Sequence, residues 1–125
     1  MLELSSMTIA NELPVIDHNH NARMDATSPG LTTELFTMLA EELTDMQPII
    51  NECFANQNTS ELGHHLHKLQ GGCVYCGLPR LKIAAADLEK ASKQGGHLDP
   101  TLLATFNQEV DAVFTEFKAK GIIKS

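Results

Sequence analysis

The chain has 125 residues, which fits one domain, and its 42% apolar content is far above that of a disordered tail. A formal net charge of −7 argues against a nucleic-acid face, no apolar run approaches the roughly 20 residues needed to span a bilayer, and no basic-then-apolar signal peptide opens the chain. Three cysteines, two of them three apart, make no secreted disulfide framework; the expectation is a cytoplasmic protein with reduced thiols.

Residues 1–13 show no period and are expected to be a flexible segment or linker, with the folded domain over 14–120. Pro14 to Ala26 carries Val15, Ile16, Ala22 and Met24 and predicts a short, weak helix. Ser28-Pro29-Gly30 breaks it, with proline placed to open the next helix. From Leu31, apolar residues at Leu35, Leu39, Leu43, Met46, Ile49 or Ile50, Cys53 and Phe54 keep helical spacing, and Pro48 should kink or loosen that helix near Thr44. Asn56 to Asn58 reads as a loop, with Thr59 or Ser60 as the next cap. A third long helix runs from about Ser60 to Cys76 and closes at Gly77. A fourth covers Pro79 to Gln94 and stops at Gly95-Gly96. Asp99-Pro100 caps a last helix marked by Leu103, Phe106, Val110, Val113 and Phe117, ending before Gly121. No segment alternates like a strand. The pattern predicts an all-α chain: an antiparallel, up-down four-helix bundle with an additional short N-terminal helix.

The third helix holds the residues with chemical interest. On a helical wheel Leu62, Leu66, Leu69, Cys73 and Cys76 form one stripe, centred about 130° from His67. Both cysteines then extend a leucine stripe as small buried hydrophobes. The alternative is a metal- or redox-active bundle. Zinc ligation by His64, His67, Cys73 and Cys76 would have to converge across about 18 Å of one helix axis. A redox pair normally sits at a helix N-terminus, whereas this one lies at the C-terminal end, where the dipole raises a thiol pKa.

His67 stands apart, with Gly63 and Gly71 at i−4 and i+4. Two helix-interior glycines cost about 1 kcal/mol each relative to Ala. They imply either open space around the imidazole or close helix–helix packing. An exposed neutral imidazole is a good nucleophile toward phosphorus and gives a labile phosphoramidate. Lys68, Gln70 and Lys82 are candidates to hydrogen-bond or neutralise phosphoryl oxygens, and a carboxylate would suit the other ring nitrogen. Between His67 and Gly95 lie five basic residues and two acids, while the remainder has four basic and fourteen acidic residues. Such a basic patch suits an anionic ligand or an acidic partner, and chance placement on solvated faces is the plainer account.

The run His67-Lys68-Leu69-Gln70-Gly71-Gly72-Cys73, followed by Gly77-Leu78-Pro79-Arg80-Leu81 and Leu88-Glu89, resembles the histidine phosphotransfer (HPt) domain. It looks most like the C-terminal module of tripartite hybrid sensor kinases of the BarA/GacS type, over roughly Val15 to Phe117. The resemblance implies that His67 accepts a phosphoryl group on Nε2 and that Gly71 keeps the surface open to a receiver domain. It implies that Glu89, on the adjacent helix, orients His67. Family members often carry Lys where this chain has Gln70; Gln donates a hydrogen bond but no charge, which shifts phosphate neutralisation toward Lys68 or Lys82. His64 and His65 match no catalytic position and are expected on the surface. Val74 and the Leu31–Leu39 segment are candidates for the apolar patch that docks a receiver.

The implied function is that of a phosphocarrier in a two-component phosphorelay. It would take phosphate from a receiver aspartate, pass it to a response regulator, and have no kinase activity of its own, even as part of a hybrid histidine kinase. No phosphate-binding glycine loop is present to suggest otherwise. No cofactor is expected in this chain; Mg²⁺ belongs to the partner receiver. The expected state is a monomer without nucleic-acid or membrane contacts, whether free or as the cytoplasmic end of a membrane-bound sensor kinase.

Overall fold

The computed structural model describes residues 12–123. The segment expected to be flexible, 1–13, therefore lies almost wholly outside the described residues. Within them the chain is all-helical, with five helices and no strand: α1 (His18–Thr27), α2 (Leu31–Ala55), α3 (Thr59–Cys76), α4 (Pro79–Gln94) and α5 (Pro100–Ala119).

Punctuation residues set most boundaries. Gly77 ends α3 at φ +69°, where a Cβ would be strained; Leu78 N donates to the Cys73 carbonyl (2.9 Å) and Gly77 N to that of Val74 (3.4 Å). Pro79 opens α4, and Asp99 caps α5 by accepting from Thr101 N (2.9 Å). Three local expectations need correction. The first helix starts at His18, because the Asp17 carboxylate accepts from Asn19 N and His20 N, so Pro14 lies before it. Pro29 sits in the turn ahead of α2, and left-handed Gly30 is the N-cap. The cap of α3 is Asn58, which accepts from Glu61 N (3.3 Å), in place of Thr59 or Ser60. Helix α2 carries Pro48 within it; Pro48 and Thr44 are both exposed, so the carbonyl deprived of its amide lies on the solvent side.

Helix α3 packs on α2 and α4, and α5 packs on α4 and α2. The core fills the space between them with Leu43 and Ile50 of α2, Leu62, Leu66 and Leu69 of α3, Leu81 and Leu88 of α4, and Phe106, Val110, Val113 and Phe117 of α5, all at most 1% exposed. Burying each such side chain stabilises the fold by about 1.5–3 kcal/mol. Phe36 stacks on Phe117 with ring centroids 4.7 Å apart. Polar side chains fix register: Gln47 and Asn51 of α2 both donate to Asn107 Oδ1 on α5 (3.0 Å each), and Asn107 Nδ2 donates back to Asn51 Oδ1 (2.9 Å). Arg80 of α4 pairs with buried Glu109 of α5 at 2.9 Å. The short helix α1 lies on α2 and is tied to the end of α3, with Asp17 N donating to the Gly77 carbonyl (2.8 Å) and His20 Nε2 3.0 Å from the Tyr75 carbonyl. No helix among the described residues is long and apolar enough to cross a membrane.

Cys73 and Cys76 are buried on the leucine stripe. Burial pushes the Cys73 thiol up to about 12, helped by Cys76 and Glu42, and the Cys76 thiol up to about 11. Loss of solvent thus raises both thiols. Both thiols should resist 5,5′-dithiobis(2-nitrobenzoate) at pH 8 in the folded protein and react fully in urea. Two or three fast equivalents without denaturant would show the stripe to be open.

Candidate functional site

The wheel leaves His67 on the face of α3 opposite its leucines, and its side chain is 78% exposed. What gives it a partner is the close approach of α4. A Cβ on Gly63 would stand 2.9 Å from Ser92 Oγ, and that hydroxyl is itself held by the Glu89 carbonyl (2.6 Å). Gly63 therefore serves helix packing, and the expectation that it clears space around the imidazole is corrected. Gly71 differs: a Cβ there meets nothing within 4 Å, and the residue is exposed.

With the helices this close, Glu89 of α4 reaches the imidazole, its Oε2 lying 3.2 Å from His67 Nδ1. The carboxylate is 10% exposed and has two further partners. Gln70 Nε2 donates to Oε1 (2.6 Å) and also meets the Leu66 carbonyl (3.2 Å), while Lys93 Nζ lies 2.9 Å from Oε2. Burial, the largest single influence on the Glu89 carboxyl, pushes its pKa up; hydrogen bonds from Lys93 and Gln70, with the charges of Lys93 and His67, outweigh it. The net value falls below the ordinary 4.5, so the carboxylate is ionised at neutral pH. A proton on Nδ1 then faces Glu89 and leaves the Nε2 lone pair toward solvent.

The structure thus brings together His67, Glu89 and Gln70. It turns the Gln70 amide onto Glu89 and the α3 backbone. Lys68 and Lys82 are exposed and stand outside this network. Lys82 lies seven residues, about 10 Å of helix axis, before Glu89, and its charge is felt at Cys73 instead. Lys93 was not singled out from the sequence; its one signal was the i, i+4 spacing from Glu89, which any solvated surface pair would share. His64 is exposed, as expected, and His65 is half-buried, 3.6 Å from Glu61. A groove of about 590 Å³ beside His67 is lined by Thr59, Ser60, Gly63, His64, Ser92 and Lys93 together with Glu89. Among the described residues no group of three or more His, Cys, Asp or Glu is placed to hold a metal ion. The histidine–cysteine alternative finds no assembled site, since His67 faces solvent and both cysteines face the core.

The family model for the Hpt domain matches residues 31–116. Sensor protein GacS of Pseudomonas syringae pv. syringae is 32% identical over 80 residues, covering 64% of this chain and 9% of that protein. Signal transduction histidine-protein kinase BarA of Shigella flexneri is 30% identical over 124 residues, covering 90% of this chain and 13% of that protein, and BarA of Escherichia coli K12 is 29% identical over the same length. The chain thus spans about a tenth of the length of the curated relatives it matches. No solved structure gives a significant match.

Because the folded-state pKa of Glu89 is depressed, its contribution to stability is present above about pH 4.5 and lost as pH falls through the folded value. The urea midpoints of the parent and Glu89→Gln should therefore converge as pH falls below about 4.5. A gap that widens on acidification would contradict the network.

Proposed function

The chain belongs to the Hpt domain family, and on that premise we propose that it is a phosphocarrier of a two-component phosphorelay, taking a phosphoryl group onto His67 from a receiver-domain aspartate and passing it to a response regulator. The observation that carries this reading is an imidazole open to solvent at one nitrogen and backed by an ionised carboxylate at the other. Nε2 attacks phosphorus; the N–P bond forms as the acyl-phosphate P–O bond breaks, and its electron pair leaves on the receiver carboxylate. The proton stays on Nδ1. The ring therefore gains positive charge, which Glu89 offsets, and it remains a good leaving group for the onward step. Gln70 holds Glu89 in place. The partner's Mg²⁺ supplies charge neutralisation on the receiver side. Lys68 and Lys82 remain candidates for longer-range neutralisation.

The domain over 14–120 is proposed to be an up-down antiparallel four-helix bundle with α1 added, without kinase activity, monomeric so that the histidine face stays free, and working on the cytoplasmic side. The relatives are named as sensor proteins and histidine kinases, which supports a place within or beside a hybrid sensor kinase. Exposed Met38, Val74 and Tyr75 support an apolar patch for receiver docking.

Receivers charged with acetyl phosphate should label the protein in an acid-labile, alkali-stable form. His67→Gln should abolish labelling with its helical circular dichroism unchanged, and label retained in that variant would defeat the assignment. Replacing Gly71 with Leu should slow transfer roughly 10- to 100-fold while raising the urea midpoint, because the new side chain favours the helix yet enters open ground where the receiver must sit. Equal loss of transfer and stability would make that glycine a packing residue.

A further inference from the structure

Phosphoryl transfer needs positive charge near the transferring oxygens, and the residues that the sequence offers for this are poorly placed. Gln70 is uncharged and engaged with Glu89. Lys68 follows His67 by about 100° on the wheel, on the side away from Gln70 and Gly63, which face α4. Lys82 stands about two turns along α4 from Glu89. Lys93 is different. Its ammonium and His67 Nδ1 touch the same Glu89 oxygen, so the two lie no more than about 6 Å apart. Its side chain is 68% exposed, is held at its tip by one carboxylate oxygen, and lines the groove beside the imidazole.

Resting on the phosphocarrier reading, we propose that Lys93 is the phosphate-neutralising residue of this site, poised on Glu89 Oε2 in the free protein and handed over to the phosphoryl oxygens once His67 is phosphorylated. The exchange balances electrostatically. While the imidazole is neutral, Glu89 needs the ammonium as counter-charge. Once the N–P bond forms, the ring carries the positive charge that Glu89 requires, and the ammonium is released toward the new dianion. No bond to Lys93 forms or breaks and no proton leaves it. Burial keeps Glu89 from following, so the carboxylate stays on the ring nitrogen while the flexible lysine moves.

The test measures single-turnover transfer from acetyl-phosphate-charged receiver domains to the parent, Lys93→Met and Lys93→Arg, over a range of receiver concentrations. Lys93→Met should lower the rate at saturating receiver roughly tenfold, with the half-saturating concentration little changed, and Lys93→Arg should restore most of it. Circular dichroism should be the same for all three; the urea midpoint should fall modestly in Lys93→Met, where Glu89 loses one partner, and recover in Lys93→Arg, so transfer is compared under conditions in which all three are fully folded. A parental rate in Lys93→Met, equal impairment in both variants, or an effect confined to half-saturation would overturn the assignment while leaving the phosphocarrier reading intact. A parent that no charged receiver labels would overturn both.

Discussion

A single buried carboxylate organises the face of this protein that matters. Glu89 accepts from an imidazole, an amide and an ammonium at distances of 2.6–3.2 Å, the first two from neighbouring positions on α3 and the third from the next turn of its own helix. Such a carboxylate is stable out of water only because its oxygens are occupied. It reaches the imidazole where α3 and α4 pack closely, with Gly63 set against Ser92. The missing Cβ and the paired carboxylate are thus two parts of one arrangement. Open the helix contact, and the ring loses its partner.

The same helix carries the core and the chemistry on opposite faces. Leu62, Leu66, Leu69, Cys73 and Cys76 anchor one side of α3 with almost no exposure, and this prevents the helix from rolling. A roll that buried His67 would expose that stripe. The asparagine and glutamine side chains between α2 and α5 add a polar check on sliding along the axis, because a shift would break three bonds between half-buried amides. Exposure of the imidazole therefore follows from packing that lies entirely behind it.

Much of this was legible in the sequence, and the gaps have a common cause. Proline, glycine and aspartate at Gly77, Pro79, Gly95, Asp99 and Pro100 act within a few residues of themselves, so the edges of α3, α4 and α5 could be read from the chain alone. The leucine stripe and the exposed imidazole follow from the 3.6-residue period on one helix. The misses involve a choice between neighbours or a contact between helices. Asn58, Thr59 and Ser60 are all competent caps, and the geometry of the turn selects the first. Gly63 and Gly71 look alike on a wheel, yet one faces Ser92 and the other faces water. Glu89 was placed by family resemblance; its second cation was not, because Lys93 becomes distinctive only once α4 is docked on α3.

The staple at the far end of α3 has an architectural consequence. The backbone bond from Asp17 to Gly77 and the contact of His20 with the Tyr75 carbonyl moor the start of α1 beside the exposed Val74 and Tyr75. Any polypeptide fused ahead of Asp17 is consequently leashed within a short radius of that apolar ground. Short flexible linkers in general sustain roughly millimolar local concentrations of what they join. A fused donor would thus meet the carrier far more often than a freely diffusing one, at the same intrinsic affinity.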